Sequence, residues 1–283
     1  MASVVPHGIG AVQWRLATPL ALTYLVFFAA PLIILVVMSF SVDENLGGFT
    51  FGNWSRFWSD PFYRGVVWDT LRLGLLAVVA TTMLAFPMAL LFVISGPRAR
   101  QILLFIILLP LLTSVVIRTF AWIAILAREG VLNQTLIALG LTTTPLNFLQ
   151  TELGLIIALT QIEMPLMLLP LIAVMQQIDP ALSDASRALG GSKWRTFRKV
   201  ILPLSLPGWI AGATLVFASS TTAFISQQVI GGARLVYLPS LIWQQAMVVY
   251  NWPFAAVASV TLLVVVLAGV SMFAVLGRFA RTS

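Results

Sequence analysis

The chain has 283 residues, 60% of them hydrophobic and 9% charged, with a mean hydropathy of +1.01. That balance excludes both a soluble domain and a disordered chain, and it fits an all-α integral membrane protein. Cysteine is absent and the formal charge is +7, so disulfides, thiolate metal sites and cysteine nucleophiles are ruled out, and a nucleic-acid role would need a soluble basic surface that the chain lacks.

A spanning helix needs about 20 mostly apolar residues. Six segments qualify: 17–40, 73–95, 102–127, 153–175, 204–227 and 253–276. They form one polytopic domain over 17–277, preceded by a polar tail, 1–16, and followed by a short tail, 278–283. The first segment is too long for the core of a cleaved signal peptide and reads as a retained helix. His7, the one histidine, lies in the polar tail as a solvated residue.

Between the first two spans the loop 41–68 carries Phe49, Phe51, Trp54, Phe57, Trp58, Phe62 and Tyr63. Rings with one apolar and one polar edge settle at membrane interfaces, so the loop is either an interfacial anchor or a docking surface for an external protein. Pro31, Pro87, Pro110, Pro165 and Pro170 fall inside spans and predict kinks, each deleting a backbone hydrogen bond.

Only two ionisable residues sit well within spans, Arg118 in the third and Glu163 in the fourth. Counted from the outer ends they lie at similar depth on consecutive helices, at about 1.5 Å per residue. Buried charges in a bilayer face a cavity or a partner, which leaves two readings: an ion pair locking the helices, or a path in which Glu163 attracts a cationic solute and Arg118 shapes a gate. In the fifth span Ser219, Ser220, Thr221, Thr222, Gln227 and Gln228 predict a polar lining, although hydroxyls can also bond back to their own helix.

The loop 176–203 is a charged island. Asp179 is a candidate N-cap with Pro180 in the first turn, Gly190 and Gly191 end a short helix, and Ser192 caps a basic one carrying Lys193, Arg195, Arg198 and Lys199. Leu202 and Pro203 then turn the chain back toward the bilayer. If this loop is inside, ten of the sixteen Lys and Arg residues share its side, including Arg15, Arg98, Arg100, Arg278 and Arg281. The excess of basic residues on cytoplasmic loops therefore predicts that both termini are cytoplasmic.

Asp184-Ala185-Ser186, three residues, Gly190, nine residues, then Val200-Ile201-Leu202-Pro203 resembles the signature of bacterial binding-protein-dependent ABC importer permeases. That signature is Glu-Ala-Ala, Gly and Ile-x-Leu-Pro at the same spacing; Asp184, Ser186 and Val200 depart from it by similar residues. Arg118-Thr119-Phe120-Ala121-Trp122, Gly130-Val131-Leu132-Asn133, Gly231-Gly232 and Asn251-Trp252-Pro253-Phe254 look like the spermidine/putrescine branch. There Gly often follows Trp-Pro where this chain has Ala255.

The resemblance implies a type I importer permease fold of about six transmembrane helices in the bacterial inner membrane. It implies that Asp184, Ala185, Ser186, Gly190, Val200, Leu202 and Pro203 belong to a loop coupled to an ATPase dimer, with a second permease subunit and a periplasmic binding protein as further partners. The chain has no G-x-x-x-x-G-K-[ST] phosphate loop, so it binds no cofactor of its own, and ATP and Mg are expected to be used by the ATPase. The expected solute is a polyamine or related amine; an aminophosphonate, opine, ferric iron or thiamine importer is the alternative within the class. A proton-coupled secondary transporter using Glu163 is the alternative outside it, while an intramembrane enzyme is disfavoured because the spans hold no histidine, cysteine or carboxylate pair.

Overall fold

The computed structural model describes residues 18–19 and 22–282, the last five by backbone alone. The tail 1–16, with His7 and Arg15, and the side chains of Arg278 and Arg281 lie outside the described residues. Five helices are long and apolar enough to cross a membrane, and a sixth candidate is a bent pair. In chain order the helices are α1 (Leu22–Ser39), α2 (Gly52–Ser59), α3 (Pro61–Ile94), α4 (Pro97–Leu108), α5 (Val115–Leu126), α6 (Val131–Ala138), α7 (Glu152–Met175), α8 (Pro180–Ala188), α9 (Lys193–Thr221), α10 (Phe224–Ser226), α11 (Leu238–Trp243) and α12 (Trp252–Thr282).

The chain divides into two compact units. The first comprises the described residues up to Asp60 together with Ile242–Val260. In it a tight hairpin follows α1: Ser41 bridges Phe49, and the Asp43 carboxylate accepts from the amides of Asn45 and Gly47. Phe40 is surrounded by Phe49, Phe51 and Trp54, with ring centroids 5.4–5.7 Å away. Phe57 is fully buried against Phe254, whose ring also carries the Arg56 guanidinium at 5.1 Å. Asn251 accepts from the Phe254 amide and so caps α12.

The second unit, Pro61–Leu241 with Thr261–Ser283, holds the α3, α7 and α9 core. A Cβ on Gly208 would lie 2.8 Å from the Pro170 carbonyl oxygen, and one on Gly212 would lie 2.7 Å from the Met167 sulfur. This Gly-x-x-x-Gly step lets α9 and α7 approach backbone to backbone, where dispersion is the main attraction available in lipid. Trp209 donates to the Thr82 hydroxyl at 2.9 Å and ties α9 to α3.

Three expected boundaries are corrected. The second span starts at Pro61 rather than residue 73, so Phe62, Tyr63 and Trp68 are helical. A helix satisfies its own backbone and can project past the hydrocarbon despite Arg64 and Asp69. The third span is no single kinked helix: α4 tightens into a 3₁₀ turn at Leu109–Leu112, Thr113 is extended, and α5 restarts at a bend of 102°. Pro110 weakens the first helix, and the Ser114 hydroxyl, accepting from the Val116 amide, starts the second. Finally, Leu202-Pro203 makes no turn, because α9 runs unbroken from Lys193. A π-helical stretch at Phe197–Ile201 absorbs the bond that Pro203 cannot make.

Candidate functional site: a polar cavity and a capped loop

α7 carries Glu163 at its middle, 4% exposed, beside an open cavity of about 390 Å³ that is also lined by Val115, Ser219 and Thr222. The Glu163 carboxylate is hydrogen-bonded by the Ser219 side chain. Arg118 projects from α5 to the same region, but its Nη1 donates to the Ile162 carbonyl oxygen at 3.1 Å and its Nε, also buried, has no partner. Arg72 pairs with Glu152 at 3.0 Å, whereas Arg118 and Glu163 are neighbours that do not form a salt bridge. The carboxylate is left facing the cavity with a hydroxyl, and not a cation, as its direct partner.

The hydroxyl run divides by face. Ser219 and Thr222, three residues apart on one side of α9, line the cavity. Ser220 and Thr221 are fully buried and bond back to the Val216 and Phe217 carbonyls at 2.7 and 2.8 Å. Gln227 lies beyond the end of α9 and turns its amide to the Ser220 and Thr221 carbonyls at 3.0 and 3.3 Å, capping the helix. Sequence reading missed the break at Thr222 and Ala223 that makes this cap necessary, and it did not single out Ser226, which lines the cavity and meets the Thr119 hydroxyl at 3.1 Å.

The segment Arg118 to Trp122 docks α5 residue by residue: Arg118 on Ile162, Thr119 on Ser226, and the Trp122 indole on the Gln161 side chain at 3.0 Å. Asn133, fully buried, bonds the Ala127 and Leu146 carbonyls and the Leu146 amide, pinning the loop after α6.

At the other end of α9 the loop is built from local caps. Asp179 accepts from the Ala181 amide at 2.9 Å to start α8, and Ser192 accepts from the Arg195 amide at 3.3 Å to start α9. Gly190 sits at φ +76°, a left-handed conformation that ends α8 at no steric cost. Asp184 and Ala185 are exposed, and Leu182 on the same short helix and Leu189 at its C-cap are 47% and 87% exposed. Ser186 is half-buried and shares a 2.9 Å hydrogen bond with the buried Thr196 hydroxyl, clasping α8 to α9.

The family of binding-protein-dependent transport system inner membrane components matches residues 81–281. The chain belongs to this family. The spermidine/putrescine transport system permease protein PotB of Haemophilus influenzae is 30% identical over 255 residues, covering 88% of this chain and 89% of the relative. PotB of Escherichia coli is 35% identical over 217 residues, 77% and 78% of the two chains. A bacterial alginate ABC transporter, crystallised with its oligosaccharide-bound periplasmic protein, shares the fold with a TM-score of 0.74 at 19% identity over 93% and 92% of the chains. The protein is thus a multi-pass inner membrane permease of an ABC importer, with the type I fold.

Proposed function

We propose that this permease carries a small amine-bearing solute of the polyamine class along a path that includes Glu163, Ser219 and Thr222. The observation that carries the reading is the Glu163 carboxylate, buried beside the cavity and not ion-paired with Arg118. With Arg118 near but not in a salt bridge, the buried carboxylate is only partly compensated, and an ammonium or a proton would complete it. The similarity to permeases named for spermidine and putrescine supports the same solute class, whereas the shared fold of an alginate transporter argues that the fold alone does not set the solute.

The permease supplies a path and a lever; ATP and Mg are used by a partner ATPase dimer. Residues 176–203 face the cytoplasm, as do both termini, and Leu182, Asp184 and Ala185 of α8, with Leu189 at its end, enter the ATPase. A second permease completes the path and a periplasmic binding protein delivers the solute. Because α9 is one continuous helix from Lys193 to Thr221, a movement of α8 passed through Gly190 and the Ser186–Thr196 clasp reaches Ser219 directly. The basic residues around the loop, and its exposed leucines, support this orientation.

The test is uptake of labelled putrescine and spermidine by cells expressing the full importer, with Glu163→Gln compared against the native chain. A loss of roughly tenfold or more in uptake at unchanged protein level is expected, about the effect of one direct charge contact removed in a low-dielectric site. Unaltered uptake with a fall in permease stability would leave Glu163 a packing residue. Uptake that survives ATP depletion but collapses with a protonophore would favour a proton-coupled secondary transporter instead.

A further inference from the structure

We propose that the first two turns of α9 form a binding surface for anionic phospholipid headgroups, which holds the loop 176–203 at the membrane boundary. Lys193, Arg195, Arg198 and Lys199 are all exposed, and the described residues contain no ion pair to any of them. No carboxylate occurs between Asp184 and the end of α9, so nothing in the adjacent sequence neutralises them. At 3.6 residues per turn, Trp194, Arg195, Arg198 and Lys199 fall on one side of the helix. Four unpaired cations on one short stretch are complementary to phosphate, and no nearby part of this chain supplies it.

Trp194 marks the depth of that surface. Its ring is 68% exposed yet fixed: it stacks on Phe197 at 5.4 Å, and Phe197 meets Phe86 of α3 edge-on at 5.7 Å. Together with the bond from Trp209 to Thr82, that contact aligns the start of α9 with the last turns of α3. There α3 gives way to the Pro97–Arg100 turn, in which Arg100 donates to the Phe92 and Val93 carbonyls. The first turns of α9 therefore lie where the apolar part of α3 ends, the layer in which tryptophan and basic side chains meet headgroups. Water alone would not favour an indole held outward in this way, and a protein groove would have to supply several carboxylates.

The proposal uses the place of this loop at a membrane boundary and is independent of the solute. Its experiment reads lipid rather than uptake, so a negative result would leave the coupling reading intact. The complete importer would be extracted into mild detergent, titrated with phosphatidylglycerol or phosphatidylcholine, and examined by native mass spectrometry for lipid retained on the complex. Each juxtamembrane cation strengthens attachment to an anionic surface by a factor of about five. Arg198→Gln should lower phosphatidylglycerol affinity by about that factor, and the quadruple Lys193, Arg195, Arg198, Lys199→Gln variant by about a hundredfold or more, since the four contributions multiply. Phosphatidylcholine retention should not change. Trp194→Ala should weaken both lipids modestly. Equal retention of the two lipids by the native complex, or unchanged phosphatidylglycerol affinity in Arg198→Gln and the quadruple variant, would overturn the proposal. So would loss of the ATPase subunit from Arg198→Gln with lipid retention intact, which would assign the surface to a protein partner.

Discussion

At its Lys193 end α9 is started by Ser192, clasped by Ser186 to Thr196 and preceded by Gly190 in a left-handed conformation, so each of these partners lies within ten residues. At its Thr221 end the same helix stops inside the protein, where its last carbonyls are met by Gln227, its hydroxyls split between two faces, and Glu163 of α7 and Val115 of α5 complete the cavity wall. The first end is solvated, and an imperfect cap there costs little because water can replace it. The second is buried, and an unmet carbonyl has no substitute. The comparison points to a division of labour along one helix: a solvated end free to shift, and a buried end held rigid beside the cavity, which is the end the proposed solute path would use.

The largest expected effect breaks the outer end. Gly190→Pro imposes φ near −65° where the chain needs +76°. The exposed loop can fold around the change, but α8 would no longer hold its angle to α9. Uptake should fall to background while the permease still accumulates and its thermal stability stays close to that of the native chain. Normal uptake by this variant would count heavily against α8 as the lever. Breaking the inner end should produce the reverse pattern. Gln227→Ala removes two hydrogen bonds from buried carbonyls and should cost about 1–3 kcal/mol, measured as earlier unfolding of the purified permease. An unfolding curve that matches the native one would mean that the end of α9 rearranges to find other donors.

The same contrast explains what could be read from the sequence. Caps and glycine breaks are local chemistry, so Asp179, Gly190 and Ser192 were legible from spacing alone, and the structure assigns them the expected backbone roles. The six apolar segments were legible because hydropathy needs no tertiary information. The break before Ser114 was not: Pro110 announces a kink, but whether a kink becomes a bend of 102° depends on the partners that α5 finds, Ile162, Gln161 and Ser226. Of the two readings open for Arg118 and Glu163, the ion pair is not the one the structure adopts, for a related reason. Equal depth brings two residues near one another, yet a guanidinium can equally well donate to a backbone carbonyl, and Arg118 donates to that of Ile162. Likewise Leu202-Pro203 reads as a turn only if proline ends helices, and the π-helical stretch before it removes that need.

The finest test compares the two ends through single hydroxyls. Ser186 stands where the family signature has alanine, and its bond to the Thr196 hydroxyl ties a side chain of α8 to one of α9. Ser186→Ala leaves the Thr196 hydroxyl buried without that partner and should cost about 0.5–1.5 kcal/mol. Stability alone would not separate a lever from a packing contact, so the informative quantity is ATP hydrolysed per solute transported by the reconstituted importer. If the clasp transmits movement, that ratio should rise in Ser186→Ala, and a disulfide between Ser186→Cys and Thr196→Cys, in a chain that otherwise has no cysteine, should restore it. If the ratio is unmoved in both variants while stability falls, the clasp only packs the two helices, and Gly190 alone would set the angle between them.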